Sequence, residues 1–362
     1  MPVLNHVVTV EEGTTNRILG SSRGKINGTF KGKGNLTIET RYVRCDVGAN
    51  FSNFEGVLTA RGTQFRLMAS VTDLSKARLN LDANAYVAHF ASQGGDEVAA
   101  TTRIGALQST ATTATLGGAN SSYQIGTLNV DSRYGGLLKA KSITKVGTGK
   151  LTLTTAGHTS PITVNGGTLE VSNATSAAFT TGAVTVGNGA TLCGTALLKG
   201  VIVQKGGTLV GGVSNLVGTL RLSGSLTLAG GSTVHCRLSA TGNSKIQVAG
   251  NITHQGDTIL VTVPASRVLR EGEELQVFQC GGTQRGSFVV KVVAEDASVG
   301  YELDASTLLA DGKLRVTGVT VGVRQAVVLP AEGEAPVYDL RGRRVSAPRN
   351  GLYIVNGRKV KK

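Results

Sequence analysis

The chain contains no tryptophan, and aromatic residues make up only 4% of its 362 residues. Six prolines are too few for a collagen-like or proline-rich linker. No run of 18 apolar residues occurs, so the sequence predicts no membrane-spanning helix. What the chain does have is 50 glycines and 40% hydrophobic residues, mostly in short alternating runs. This composition predicts an ordered all-β protein with a thin core.

The four cysteines, Cys45, Cys193, Cys236 and Cys280, lie far apart without metal-site spacing. We expect scattered, half-buried thiols; the alternative is one disulfide between Cys193 and Cys236 on stacked coils. The sequence indicates no metal site and no cofactor. No G-x-S-x-G, HExxH or phosphate loop is present.

The net charge of +14 is concentrated near the C-terminus. Residues 338–362 carry eight basic side chains and one acid, about half of the total excess. The remaining charge is thinly spread and lacks the interleaved aromatics on which bases stack. We therefore expect no nucleic-acid partner.

One stretch organises the chain: Lys145–Val171, KVGTGKLTLTTAGHTSPITVNGGTLEV. Leu151 and Leu153 alternate with threonines, and two glycine-rich turns separate three short runs. Gly-Thr-Leu recurs at Gly167, Gly207 and Gly218, where glycine suits the corner, leucine the interior and threonine the exposed face. The pattern predicts a parallel β-helix, or β-solenoid, stacked coil on coil. The alternative is a β-sandwich with glycine-rich turns, which the regular short rungs disfavour.

The same stretch resembles the autotransporter-associated β-strand repeat of secreted Gram-negative passengers, which reads roughly K-x-G-x-G-x-L-x-L … V-x-x-G-x-L-x-V. The resemblance implies an exported or cell-surface protein. The N-terminus has no basic segment followed by an apolar one, as a signal peptide would. We therefore expect the chain to be the C-terminal part of a longer protein.

Four regions follow from these patterns. Residues 1–140 are predicted to form irregular solenoid rungs, 141–255 the repeat-bearing solenoid, 256–320 a capping β segment and 321–362 a sorting-domain-like β segment. The cap resembles the closing segment of autotransporter passengers. A helix is arguable only at 74–90, where the alternation favours strands.

The last region predicts a β-hairpin, because Asn356-Gly357 separates two alternating runs. It resembles the C-terminal sorting domain of the type IX secretion pathway, which implies recognition by the secretion machinery. The alternative is a basic solubilising hairpin. The residues that carry the resemblance are Tyr338, Asp339, Leu340, Gly342, Arg343, Gly351, Tyr353, Ile354, Val355, Gly357 and Lys359.

The regular solenoid is predicted to be non-catalytic. Residues 101–256 contain only two acids, Asp131 and Glu170, whereas glycoside cleavage needs a carboxylate pair. Asp131 and Arg133 share a strand face. His158 is expected in a loop and His235 at an outward strand position, and neither has a ligand partner in sequence.

The N-terminal region holds one further group of candidates. Asp73, Arg78, Asp82 and His89 could form a cluster, but we interpret them as ordinary exposed strand charges.

The sequence favours a secreted or surface-anchored protein. It is either a rigid stalk that displays a more N-terminal domain or an adhesin-like passenger that presents a polar Thr/Ser/Asn face to host or matrix glycans or proteins. The alternative is an accessory part of a carbohydrate-active enzyme, such as a polysaccharide lyase whose catalytic domain precedes residue 1. A calcium-binding solenoid is disfavoured because Gly-Gly-x-Gly-x-Asp repeats are absent.

Overall fold

The computed structural model of the chain describes residues 3–20, 23–40, 45–91, 95–173, 178–321, 336–346, 348–355 and 357–361. These residues form two compact units, the first ending at Thr320 and the second beginning at Val321. Strands make up 60% of the structure and helix 1%. The predicted all-β class is confirmed.

The first unit contains 34 strands and one short helix among its described residues. Its first strands are β1 (Val3–Leu4), β2 (Val7–Val10), β3 (Thr15–Gly20), β4 (Gly24–Ile26), β5 (Thr29–Gly32), β6 (Asn35–Thr40), β7 (Cys45–Val47), β8 (Asn50–Phe54), β9 (Val57–Arg61), β10 (Phe65–Met68), β11 (Asp73–Leu81), β12 (Tyr86–Phe90) and β13 (Ala100–Gln108). The central strands are β14 (Thr115–Ile125), β15 (Ser132–Tyr134), β16 (Leu137–Lys145), β17 (Lys150–Leu153), β18 (Ile162–Val164), β19 (Gly167–Val171), β20 (Val184–Val186), β21 (Ala190–Gly194), β22 (Leu197–Leu198), β23 (Val201–Val203) and β24 (Thr208–Gly211). The last are β25 (Thr219–Leu222), β26 (Leu226–Leu228), β27 (Thr233–Arg237), β28 (Lys245–Val248), β29 (Ile252–Val263), β30 (Glu274–Gln276), β31 (Phe278–Cys280), β32 (Gln284–Ala294), β33 (Val299–Asp304), α1 (Leu308–Asp311) and β34 (Lys313–Val321).

The strands up to β32, apart from β30, stack in parallel as a β-solenoid of about 11 turns, as the sequence predicts. Each turn contributes to three faces. The first face holds β1, β4, β7, β10, β12, the starts of β14 and β16, then β22, β25, β28 and β31. The second face holds β2, β5 and β8, then the starts of β11 and β13, the ends of β14 and β16, then β18, β20, β23, β26 and the starts of β29 and β32. The third face holds β3, β6, β9, the ends of β11 and β13, then β15, β17, β19, β21, β24, β27 and the ends of β29 and β32.

Inward side chains from the three faces form one continuous core. In the N-terminal coils the core contains aromatic rings, with Phe30 and Phe51 stacked 5.2 Å apart between centroids. In the central coils the corresponding space is filled by aliphatic residues such as Leu169 and Leu192, which are fully buried. Each such side chain contributes about 1.5–3 kcal/mol through removal from water. Gly147 and Gly167 turn the corners with φ of 72° and 60°, the left-handed region that favours glycine.

The C-terminal end of the solenoid carries a small antiparallel sheet in the order β30-β34-β33. β30 pairs with β34 through Leu275 and Leu314, and Tyr301, Leu308 and Leu314 are buried there. Parallel pairing continues past residue 256 through β29 and β32, so the capping strands are interleaved with the last rung. The cap covers apolar surface that an open solenoid end would expose.

The second unit is a four-stranded antiparallel sheet in the order β36-β35-β37-β38. Its strands are β35 (Val337–Tyr338), β36 (Arg344–Val345), β37 (Leu352–Val355) and β38 (Arg358–Lys361). Val355 pairs with Arg358, which confirms a hairpin with a two-residue turn at the predicted place. Asn356 itself lies outside the described residues.

Three further predictions have outcomes here. The parallel ladders exclude the antiparallel β-sandwich, and 74–90 forms strands rather than a helix. All four cysteines are free thiols, three of them buried. Cys193 lies beside Val210, and Val210 lies beside His235. Cys193 and Cys236 are therefore two rungs apart, about 9–10 Å, which is beyond disulfide reach.

Candidate functional site

The outward side of the third face carries a column of threonines. Thr168, Thr191, Thr208, Thr233 and Thr258 follow one another in register. The leucines that follow the first three point inward and are fully buried. This confirms the predicted roles of leucine and threonine in the Gly-Thr-Leu motif. One copy behaves differently: Thr219-Leu220 lies on the first face in β25, and Thr233-Val234 takes the expected place on the third.

The second face carries a longer outward column, which we call the second-face ladder. Adjacent members are Cα partners on neighbouring rungs, so they repeat at about 4.8 Å. Its members, in order along the solenoid, are Asp73, Arg103, Gln124, Thr144, Thr163, Thr185, Ile202, Thr227, Thr253 and Arg285. The five threonine hydroxyls make no hydrogen bond to any described residue.

The start of this ladder lies in a surface groove of about 350 Å³, which we call the second-face groove. The face is widest here, because Ala100–Ile104 of β13 pairs along its length with Ser121–Ile125 of β14. Two outward columns therefore run side by side instead of one. The groove is lined by Thr72, Asp73, Thr101, Arg103, Ser122, Tyr123, Gln124 and Thr144. All of these except Tyr123, whose side chain is buried, present hydrogen-bonding side chains at the surface.

The groove contains one carboxylate and one guanidinium on adjacent rungs. Burial acts to raise the pKa of Asp73, but hydrogen bonds from Ser75 and the charges of Arg103 and Lys76 outweigh it, and the pKa is lowered. Asp73 is therefore an acceptor-only carboxylate at neutral pH. Arg103 is exposed and donates no hydrogen bond to any described residue. The groove thus offers an anionic acceptor, a cationic donor and neutral hydroxyl and amide groups, but no pair of carboxylates.

The structure does not bring the four N-terminal candidates together. Asp73 lies on the second face, whereas Arg78 belongs to the part of β11 that lies on the third. Asp82 pairs with Arg61 at 2.5 Å between Oδ2 and Nε. His89 is buried, with Nε2 2.8 Å from the Thr102 hydroxyl. Asp73 and Arg78 are half-buried strand residues, Asp82 directly follows β11, and His89 is a core residue rather than an exposed strand charge.

The other sequence candidates also have separate roles. Asp131 accepts a hydrogen bond from the Lys150 amide at 2.8 Å, and Arg133 is exposed. His235 is half-buried on an outward strand position, as predicted, with Nε2 2.9 Å from the Thr262 hydroxyl. His158 lies between β17 and β18, as expected for a loop position, but it is fully buried, and its Nδ1 accepts a hydrogen bond from the Leu138 amide at 2.9 Å.

The third face also carries a polar network that sequence patterns did not predict. The carboxylate of Glu170 accepts hydrogen bonds from the amide and hydroxyl of Ser214, both at 2.9 Å, and lies 3.5 Å from Lys150 Nζ. Arg237 donates to the carbonyls of Ser214 and Leu216. These contacts hold the loop 212–218 against the strands, so Glu170 is a structural anchor. Its cross-strand partners, Thr152 and Cys193, are not carboxylates.

The sorting-like residues have well-defined positions in the second unit. Asp339 closes a tight turn, accepting from the amides of Arg341 and Arg343 at 2.9 Å and from Arg343 Nε at 2.9 Å. Gly342 and Gly357 adopt φ of 79° and 75°. Tyr353 donates its hydroxyl proton to the Arg349 carbonyl at 2.8 Å.

The remaining residues of that motif are strand or surface residues. Ile354 and Val355 are half-buried in β37, Gly351 lies beside the Tyr353 ring, and Leu340 and Lys359 are exposed. On one side of the sheet, Arg344, Tyr338, Ile354 and Lys359 form a cross-strand row. The residues of the sorting-like motif therefore belong to one compact, strongly basic antiparallel sheet.

Among the described residues, no group of three or more His, Cys, Asp or Glu is arranged to hold a metal ion. The described part of the chain also has no helix of the length and apolar character needed to cross a membrane. A scan against protein-family models and a search of curated proteins both gave no match.

Proposed function

We propose that this chain is a non-catalytic, secreted or surface-anchored β-solenoid of a Gram-negative bacterium that works as a rigid stalk or adhesin-like passenger. The observation that carries the proposal is the parallel backbone pairing that runs from β1 to β32 without a change of fold. Such pairing makes each coil a support for the next and suits an extended element that presents side chains at regular intervals.

Two further observations support this proposal. The second-face ladder offers hydroxyl groups at rung spacing over many coils, which suits contact with a long partner. The second unit is a basic sheet built on turns at Asp339 and Gly342, which suits recognition by secretion machinery. An accessory role in a carbohydrate-active enzyme is the second candidate, because the second-face groove is a polar cleft with a carboxylate, Asp73.

The test uses the intact gene product in its own cells. Surface protein is measured by protease shaving, and mass spectrometry shows whether residues 338–362 remain attached. We expect surface material that lacks the tail, and we expect Asp339→Ala to retain the protein inside because the turn that holds Arg343 is lost. Arg349→Ala, outside the sorting-like motif, is the matched control. Equal surface export of wild type and Asp339→Ala would overturn the sorting role, and retention of wild type inside the cell would overturn surface display.

A further inference from the structure

The second-face groove contains a cation whose hydrogen-bonding capacity no described residue uses. The guanidinium of Arg103 is exposed in the groove and acts on Asp73 only through its charge. Arginine presents five donors in a planar fork that matches a carboxylate or sulfate with two parallel hydrogen bonds. Arg103 is therefore a ready partner for an anionic group that approaches from solvent.

The neighbouring rungs supply a different chemistry. Asp73, one rung before Arg103, carries a lowered pKa and accepts hydrogen bonds. Gln124 and Thr144, one and two rungs after it, offer an amide and a hydroxyl. Read along the solenoid axis, the order is acceptor, cation, amide and hydroxyl at about 4.8 Å intervals.

The lining also decides what class of molecule fits. A peptide strand would need free backbone groups, but β11, β13, β14 and β16 are already paired with each other here. Single-stranded nucleic acid would need exposed rings, and the one aromatic residue of the groove, Tyr123, is 1% exposed. A polymer rich in hydroxyl groups, with an occasional anionic group, provides a hydrogen-bonding partner for every polar side chain that lines the groove.

We propose that the second-face groove binds an acidic polysaccharide, with an anionic substituent on Arg103, ring hydroxyls on Asp73 and Gln124, and the chain continuing along the threonines of the second-face ladder. This rests on the proposed function and names the class of glycan that the polar face takes. The ladder provides the continuation, since Thr144, Thr163 and Thr185 follow in register with free hydroxyls.

The first test measures binding of the full chain to polygalacturonate, dextran sulfate and neutral dextran by calorimetry at fixed salt. Arg103→Ala is compared with Arg133→Ala, which removes the same charge from an exposed arginine on the third face. We expect Arg103→Ala to weaken the affinity for an anionic polymer about tenfold or more, as loss of a charged hydrogen bond does, and Arg133→Ala to change it less than about twofold. Loss with polygalacturonate alone identifies a carboxylate ligand, and loss with dextran sulfate alone identifies a sulfate.

Two results would overturn the groove as the site. One is no binding of wild type to either anionic polymer. The other is equal affinities of the two arginine variants, which would assign binding to the net charge of +14. Surface export is measured separately. Failed export with intact binding would therefore overturn the proposed function but not the binding of glycan in the second-face groove.

The second test addresses the continuation along the ladder. Thr163→Val with Thr185→Val removes two hydroxyls from the second face while keeping the β-branched shape. The matched control is Thr191→Val with Thr208→Val on the third face. We expect the second-face pair to weaken binding of long polygalacturonate about fivefold or more, as the net loss of one hydrogen bond would, with short oligomers unaffected. Identical behaviour of the two pairs would confine the site to the groove and overturn the extended track.

Discussion

The ammonium group of Lys145 lies 3.1 Å from the carbonyl oxygen of Gly166, which belongs to the next coil of the solenoid. The same group donates to the carbonyls of Val146 at 2.7 Å and Gly147 at 3.2 Å. Lys145 is 2% exposed, so these contacts are shielded from water. The lysine that opens the repeat motif is thus a clamp between coils at a glycine-rich corner.

Removing this ammonium should destabilise the solenoid. Lys145→Met keeps the aliphatic stem but leaves three carbonyls without their donor, and we expect a loss of about 1–3 kcal/mol in the free energy of unfolding. Urea denaturation followed by circular dichroism measures it. Lys139→Met, at an exposed position, serves as the control and should change stability by less than about 0.5 kcal/mol. An unchanged urea midpoint for Lys145→Met would contradict the clamp.

Acid should destabilise the solenoid through a buried histidine. Burial lowers the pKa of His158 to about 4, from an ordinary value of 6.5. The unfolded chain therefore binds more protons between these two values, so the histidine's contribution is complete above pH 6.5 and is lost as pH falls towards 4. The loss amounts to about 3 kcal/mol. Protonation of Nδ1 would also remove the acceptor used by the Leu138 amide.

His158→Asn tests this pH dependence, because its amide oxygen accepts a hydrogen bond but does not titrate. We expect the variant to lose less stability than wild type between pH 7 and pH 4, whatever its stability at pH 7. His6→Asn, at an exposed position, should keep the wild-type slope. The measurement is the urea midpoint against pH, and parallel curves for wild type and His158→Asn would refute the assignment.

The loop 212–218 should detach when its anchor is removed. Burial acts to raise the pKa of Glu170, but hydrogen bonds from Ser214 and the charge of Lys150 lower it overall. Glu170→Gln removes the charge that holds Ser214 and Lys150 together, and we expect a loss of about 1.5–3 kcal/mol. Limited proteolysis should then cut within the loop much earlier than in wild type. Glu55→Gln, at a more exposed carboxylate, should leave the cleavage rate unchanged.

The last solenoid strand should become aggregation-prone without its central lysine. Among the described strands, β32 pairs only with β29, so its other edge has no partner there. Val289 and Val293 are 54% and 53% exposed, and Lys291 lies between them. Lys291→Val creates an apolar outward run on this edge, which natural sheets avoid. Light scattering should show aggregation of this variant at concentrations where Lys199→Val, at another exposed lysine, stays dispersed.

Much of the fold follows from the sequence alone. Alternating runs with glycine at the corners are compatible with few structures other than stacked short rungs, and Leu151 and Leu169 had to point inward because they are the apolar members of each pair. The Asn356-Gly357 dipeptide likewise specifies a hairpin through local backbone chemistry. These features depend on neighbours within about six residues, which the sequence displays directly.

The site depended on tertiary structure, because register between coils is set by packing across insertions of unequal length. Arg103 and Gln124 are 21 residues apart and Asp73 and Arg103 are 30, so no fixed period aligns them. For the same reason Thr219-Leu220 carries the repeat motif but lies on a different face from Thr208-Leu209. The burial of His158 also depended on contacts beyond its own segment. The order of residues determined the coils, and the packing of coil on coil decided which side chains meet.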